Sequence, residues 1–266
     1  MYKTHFALTR YPFEPSIGID ELFPARGQEE AEARIRHLLE LRGIGLLTGE
    51  PGCGKSTVCR RIAGSLHPGL HRHRYLSLTT GSVVDLYTSI LQAFGLPLTK
   101  QRAQAFHTIR QEVSRLVQDG GQLPVLVIDE AHLLGGGLLE EIRLLTNYRM
   151  DSDNRLCLLL AGHTELRQRI TMSAYESLRQ RIVVRCHLDG LDGGEVAGYL
   201  QHRLKLAGAA VPLFPDDAVC AIAQATNGVP RKIDRIAHLA LCAAALGKRD
   251  LVDTDDVQKA LDDTGT

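Results

Sequence analysis

Five short apolar runs punctuate the first two-thirds of the chain: Ile44 to Thr48, Tyr75 to Leu78, Val125 to Ile128, Leu156 to Leu160 and Ile182 to Val184. Each is bounded by turn-forming residues and is too short for a helix, so each is expected to be a strand. Between them, Lys55 to Leu66, Val83 to Phe94, Ala103 to Gln118 and Leu138 to Tyr148 are long enough for helices, and another is expected from about Gln28 to Leu41. Strands that are apolar throughout, alternating with helices, belong in a parallel sheet covered on both faces. The expected fold class is therefore α/β.

After about Leu188 the strand pattern stops. Val196, Tyr199, Leu200, Leu204 and Ala207 form a helical face, and helices are expected near Asp216 to Ala225, Pro230 to Leu246 and Thr254 to Asp262. Pro215-Asp216 opens one of these helices, Asn227-Gly228 closes it and Asp253-Thr254 begins the last. Three parts follow: an entry segment with a first helix (1–42), an α/β core (43–190) and a small all-helical domain (191–266). Tyr11, Pro12, Phe13 and Pro15 mark the entry segment.

Composition narrows the partners. With 44% hydrophobic and 23% charged residues in 266, the chain can fill a core and is not a disordered polymer. Lys plus Arg and Asp plus Glu number 31 each, so any nucleic-acid contact must come from a local patch and not from a global field. No run approaches the roughly 18 apolar residues of a membrane span, and the first residues lack the pattern of a secretory signal. Six cysteines are scattered without metal-ligand spacing and read as reduced, packed thiols of a cytoplasmic protein. The stretch His71-Arg72-His73-Arg74 reads as a solvated basic loop.

Two motifs carry chemistry. Gly49-Glu50-Pro51-Gly52-Cys53-Gly54-Lys55-Ser56, followed by Thr57, fits G-x-x-x-x-G-K-[ST] between an apolar strand and a helix. Glycines there let successive backbone N–H groups curl around phosphate oxygens, and the helix N-terminus adds positive potential. Lys55 suits the β- and γ-phosphates, and Ser56 suits Mg²⁺. The second motif, Val125-Leu126-Val127-Ile128-Asp129-Glu130, is an apolar strand ending in two carboxylates. Asp129 suits the Mg²⁺ shell and Glu130 the polarisation of an attacking water. The pair of motifs predicts Mg²⁺-dependent hydrolysis of ATP.

A glutamate directly after the metal-binding aspartate, followed by a C-terminal helical domain, resembles the AAA+ ATPases. The resemblance implies a five-stranded parallel sheet with helices on both faces and a small helical lid. It implies a polar sensor of the γ-phosphate at the end of the fourth strand, here His163 with Thr164 in reserve. It implies an arginine before the fifth strand that reaches the neighbouring subunit's nucleotide, here Arg181 or Arg179, and a second sensor at Arg231 where Gly228-Val229-Pro230-Arg231 opens a helix. Phe23-Pro24-Ala25-Arg26-Gly27-Gln28 resembles the family's adenine-wrapping segment.

A narrower likeness covers nearly the whole chain. The runs HFALTRYPFEPS, LTGEPGCGKST, VLVIDEAH, LLLAGHTEL, LRQRIVVRCHL and NGVPRKIDRIAHLAL are similar to ExeA-type ATPases, which include secretion ATPases and the transposon ATPases of the TniB, TnsC and MuB group. Secretion members carry a membrane segment and a wall-binding domain after the ATPase, whereas this chain stops at Thr266. The likeness therefore points to the transposition branch: a ring or filament of hexamer-like size on duplex DNA, with a transposase and a target-selection protein as partners and no membrane. Thr79 and Thr80, with Gly81 and Ser82, and Arg143 and Arg149 are the DNA-contact candidates this implies. The alternative is an ATPase assisting secretion or envelope assembly.

Overall fold

In the computed structural model, which describes residues 2–77, 81–149 and 152–265, the three most apolar runs become strands with every residue buried. They are β1 (Ile44–Gly49), β3 (Leu123–Asp129) and β4 (Cys157–Gly162). Of the flanking strands, β5 (Ile182–Leu188) alternates between buried and more exposed positions, and β2 (His71–Ser77) buries only Leu76 fully. All pairings are parallel, in the order β2-β3-β4-β1-β5. Strands with a partner on each side are covered by helices on both faces and must be apolar throughout, whereas edge strands retain solvated positions.

The described residues divide into two compact units. The sheet unit (30–49 and 55–188) carries most of α2 (Arg26–Leu41), then α3 (Lys55–Ser65), α4 (Val83–Phe94), α5 (Arg102–Gln118), α6 (Gly136–Leu145), α7 (Thr164–Thr171) and the short α8 (Glu176–Arg179). Its core joins Leu86, Tyr87, Ile90 and Leu91 of α4 to Ile109 and Val113 of α5 and to Leu126, Ile128, Leu158 and Leu160 of the sheet. Burying each such side chain contributes roughly 1.5–3 kcal/mol. Ser82 caps α4, its Oγ accepting from the Asp85 backbone N–H at 3.1 Å.

The helical unit comprises 1–29, 50–54 and 189–266. It holds the one-turn α1 (Tyr2–His5), α9 (Gly193–Leu206), α10 (Asp216–Thr226), α11 (Pro230–Leu246) and α12 (Thr254–Thr264), and its core also takes in Tyr2, Leu8 and Phe13 from the N-terminus. Arg203 ties that N-terminal strap down. The residue is only 5% exposed, and its guanidinium donates to the carbonyls of Pro12 and Glu14, both at 2.7 Å. Asp192 and Asp253 begin α9 and α12 in reciprocal capping boxes.

One expectation is overturned. His71-Arg72-His73-Arg74 is not a solvated loop but the first half of β2, paired in register with Leu123 to Leu126. Charged residues obscured the strand because β2 is an edge, where only one side of the backbone must be paired and alternate side chains reach water. Arg74 lies over the Phe94 ring at 5.8 Å, and burial holds the His73 imidazole below its ordinary pKa. The fifth strand also runs four residues further than its apolar run, since Arg185 and His187 occupy its more exposed positions.

Candidate nucleotide site

Parallel strands place their carboxyl ends along one edge of the sheet, where open α/β sheets bind ligands. At that edge of the sheet unit lie Gly49 ending β1, Asp129 ending β3 and His163 after β4. Lys55 opens α3, and its buried Nζ donates to the Gly49 carbonyl at 2.8 Å. The ammonium is thus satisfied by the loop's own backbone and stands at the start of a helix whose first N–H groups have no intrahelical acceptor.

Around Asp129 three donors converge. Ser56 Oγ donates to Oδ2 at 3.2 Å, Tyr75 OH to the same oxygen at 2.6 Å, and the Glu130 backbone N–H to Oδ1 at 2.9 Å. A hydroxyl and a carboxylate this close are the hard oxygen pair that Mg²⁺ prefers, so the residues present fit the ion. Tyr75 was not foreseen from the sequence. Burial and its bond to the Asp129 carboxylate raise its pKa above the ordinary phenol value, which keeps it a donor.

Glu130 follows in left-handed backbone geometry, φ 54° and ψ 31°. Its Oε2 lies 3.3 Å from His132 Nδ1 and 3.5 Å from His163 Nε2. The two imidazoles stack, centroids 3.7 Å apart at 13°. Burial, then the neighbouring His163, lowers the pKa of His132. The sensor candidate His163 is therefore beside the candidate base, and His132 joins them. Its place in the run Asp-Glu-Ala-His was visible in the sequence, but only the 3₁₀ turn at Ala131–Leu133 brings it back to Glu130.

The helical unit holds the rest of the phosphate loop, Glu50 to Gly54. Gly52 and Gly54 have φ of 93° and 98°. A Cβ on Gly52 would meet Arg231 Cβ at 2.6 Å, and one on Gly54 would meet the Gln28 amide at 2.5 Å. Pro51 is exposed and Cys53 buried. Arg231, the second-sensor candidate, is exposed at the start of α11 and packs on Gly52 within this unit. In the adenine-segment candidate, Phe23 meets Tyr199 edge-on at 5.7 Å, and the Arg26 N–H donates to Glu195 at 2.8 Å.

Arg181 lies at the other end of the sheet unit, just ahead of β5. It lines a recess of about 440 Å³ with Arg42, Arg143, Asn154, Ser177 and Gln180. Arg179 instead donates to the Thr171 carbonyl at 3.2 Å and sits 3.5 Å from Glu176. Among the DNA-contact candidates, Thr79 and Thr80 lie outside the described residues. Arg143 is held by Glu140 at 2.6 Å, and Arg149 is exposed, 3.9 Å from Asp153.

An interior β1 followed by a phosphate loop, with an acidic strand end at β3, defines a P-loop nucleoside triphosphatase. The AAA domain family matches residues 36–170, just over half of the chain, and the chain belongs to that family of ATPases. General secretion pathway protein A of Aeromonas hydrophila is 34% identical over 259 residues, 96% of this chain, and the chain spans 47% of that relative's length. Cdc6p from Pyrobaculum aerophilum shares the fold at TM-score 0.72 with 19% identity, over 95% of this chain and 70% of that one. The Aeropyrum pernix ORC1 protein does so at 0.64 with 19% identity, over 96% and 69%. No helix among the described residues is long and apolar enough to cross a membrane.

Proposed function

We propose that this chain is an assembly switch: copies loaded with Mg²⁺ and ATP associate, and hydrolysis releases them. The observation that carries the reading is the separation of Arg181 from Lys55. The parallel pairing of β1 and β5 sets Ile44 against Ile182 and Gly49 against Leu188. Arg181 therefore stands at the amino end of the strands while Lys55 is bonded to the carboxyl end of β1, on the order of 16 Å away at 3.3 Å per residue. An arginine there cannot reach its own nucleotide, but it can complete a neighbour's. Within the site, Lys55 holds phosphate charge, Ser56 and Asp129 would hold Mg²⁺, which offsets charge on the phosphates, and Glu130 takes a proton from water. We read His163, and Arg231 on α11, as the two γ-phosphate sensors.

What the switch acts on has two readings, each with its own support. The 34% identity to a general secretion pathway protein supports work on a secretion or envelope-assembly machine. The motif likeness to transposon ATPases supports assembly on duplex DNA as a regulator of transposition, with a transposase and a target-selection protein as partners; the similar Aeropyrum pernix ORC1 protein was solved in complex with DNA. Light scattering with a slowly hydrolysed ATP analogue, ADP or no nucleotide, with and without duplex DNA at low and moderate salt, tests both layers. Analogue-dependent oligomers support the switch, and particles of unchanged size contradict it. Phosphate contacts make DNA binding fall steeply with salt, so oligomers that ignore DNA at low salt exclude the DNA reading and leave the secretion one.

A further inference from the structure

We propose that Glu130, His132 and His163 bind a transition-metal dication of the zinc class, at a position distinct from the Mg²⁺ pair Ser56 and Asp129, and that occupancy silences hydrolysis. The first half stands on geometry alone; the second rests on the reading of Glu130 as the base.

One ligand atom from each residue lies within 4.8 Å of the other two. A tetrahedral zinc site with bonds of about 2.0–2.1 Å places neighbouring ligand atoms roughly 3.3–3.4 Å apart. Glu130 Oε2 is 3.3 Å from His132 Nδ1 and 3.5 Å from His163 Nε2, so two edges of the tetrahedron are already set. Closing the third takes a tilt of the imidazoles out of their 13° stack. His132 adds an independent pointer. Its side chain is only 10% exposed, and its buried Nδ1 makes no hydrogen bond even though the Glu130 carboxylate lies 3.3 Å away. An orphaned buried ring nitrogen is costly unless a ligand satisfies it.

The donor set decides the class of metal. Two imidazoles and one carboxylate suit zinc, cobalt or nickel, whereas Mg²⁺ demands oxygen. A fourth position is left for water. A cation bound there occupies the carboxylate that would otherwise accept a proton, so hydrolysis stops while the phosphate loop is untouched.

The test titrates Zn²⁺ alone into the full chain without nucleotide, by calorimetry, and follows Co²⁺ by its visible spectrum. The expectation is one site with a nitrogen and oxygen tetrahedral spectrum, weakened at least about tenfold in each of His132→Gln, His163→Gln and Glu130→Gln. Three substitutions guard against one variant misfolding. Binding unchanged in all three, or a thiolate-to-cobalt charge-transfer band placing the metal on cysteines, overturns the site. With saturating Mg²⁺ and ATP, zinc should lower the wild-type rate, a chelator should restore it, and the ratio of rates with and without zinc should move toward one in His132→Gln. A triad that binds zinc while the wild-type rate is unaffected overturns the silencing alone, and the binding arm reads out even if the protein proves to have no ATPase activity.

Discussion

Under the proposed function Glu130 and Lys55 do separable work, although both lie at one edge of the sheet. Lys55 Nζ has the Gly49 carbonyl as a ready partner, so the ammonium can leave that oxygen for a phosphate without being stranded. Lys55→Ala is expected to abolish tight ATP binding because the phosphates lose their principal cation. Glu130→Gln should bind ATP as the wild type does and hydrolyse it roughly 10²–10⁴-fold more slowly, the usual worth of a general base. Equilibrium binding of a labelled nucleotide, with phosphate release measured on the same samples, checks both. Normal turnover in Glu130→Gln would remove Glu130 from the role of base. At this scale the sequence was readable where chemistry depends on contiguous residues, as in Gly49 to Thr57 and Asp129-Glu130. Tyr75 and His132 were not readable, because their relation to Asp129 and Glu130 comes from strand register and a 3₁₀ turn.

Elements were legible in proportion to how uniformly they are buried. β1, β3 and β4 show themselves as apolar runs because both of their faces are covered. β2 carries His71 to Arg74 and was missed in its first half, and β5 was cut short at Val184, since edge strands mix polar and apolar positions. The end of α10 was legible as Asn227-Gly228, and the geometry shows why those residues are needed. Asn227 and Gly228 are left-handed at φ 48° and 69°, and the Gly228 carbonyl accepts from the Leu191 N–H at 2.8 Å. A Cβ on Gly228 would lie 1.9 Å from the Leu191 carbonyl oxygen, a backbone atom that cannot swing aside. Gly228→Ala should therefore destabilise the helical unit by at least about 1–3 kcal/mol, read as a lowered urea midpoint. A midpoint equal to wild type would mean that the α10–α11 connection is not under this constraint.

At the scale of the whole molecule, acid should weaken the fold through half-buried histidines. Burial lowers the pKa of His73 and of His238, whose Nδ1 is 3.0 Å from Tyr2 OH, below their ordinary value of 6.5. As pH falls below about 6.5 the unfolded chain takes up these protons before the folded one does, so stability drops until the folded imidazoles protonate too. Burial raises Asp234 instead, and that group contributes in the opposite sense as it protonates in the fold. The isolating comparison is the change in melting temperature between pH 7.5 and 5.5 for wild type and His238→Gln. The variant should show the smaller drop, and an equal drop would rule out His238 as a source.

The central claim is that one copy completes the site of the next, and mixing two inactive variants tests it directly. Arg181→Ala copies keep an intact phosphate loop, and Lys55→Ala copies keep an intact Arg181. Alone, each should be inactive in hydrolysis. Mixed at equal concentration, and verified to co-assemble, they should recover a fraction of wild-type activity at interfaces that pair a good loop with a good arginine. Arg179→Ala in place of Arg181→Ala decides which arginine supplies the contact. Recovered turnover in the Arg181→Ala mixture is the predicted result; verified mixed assemblies that hydrolyse no ATP would contradict the account.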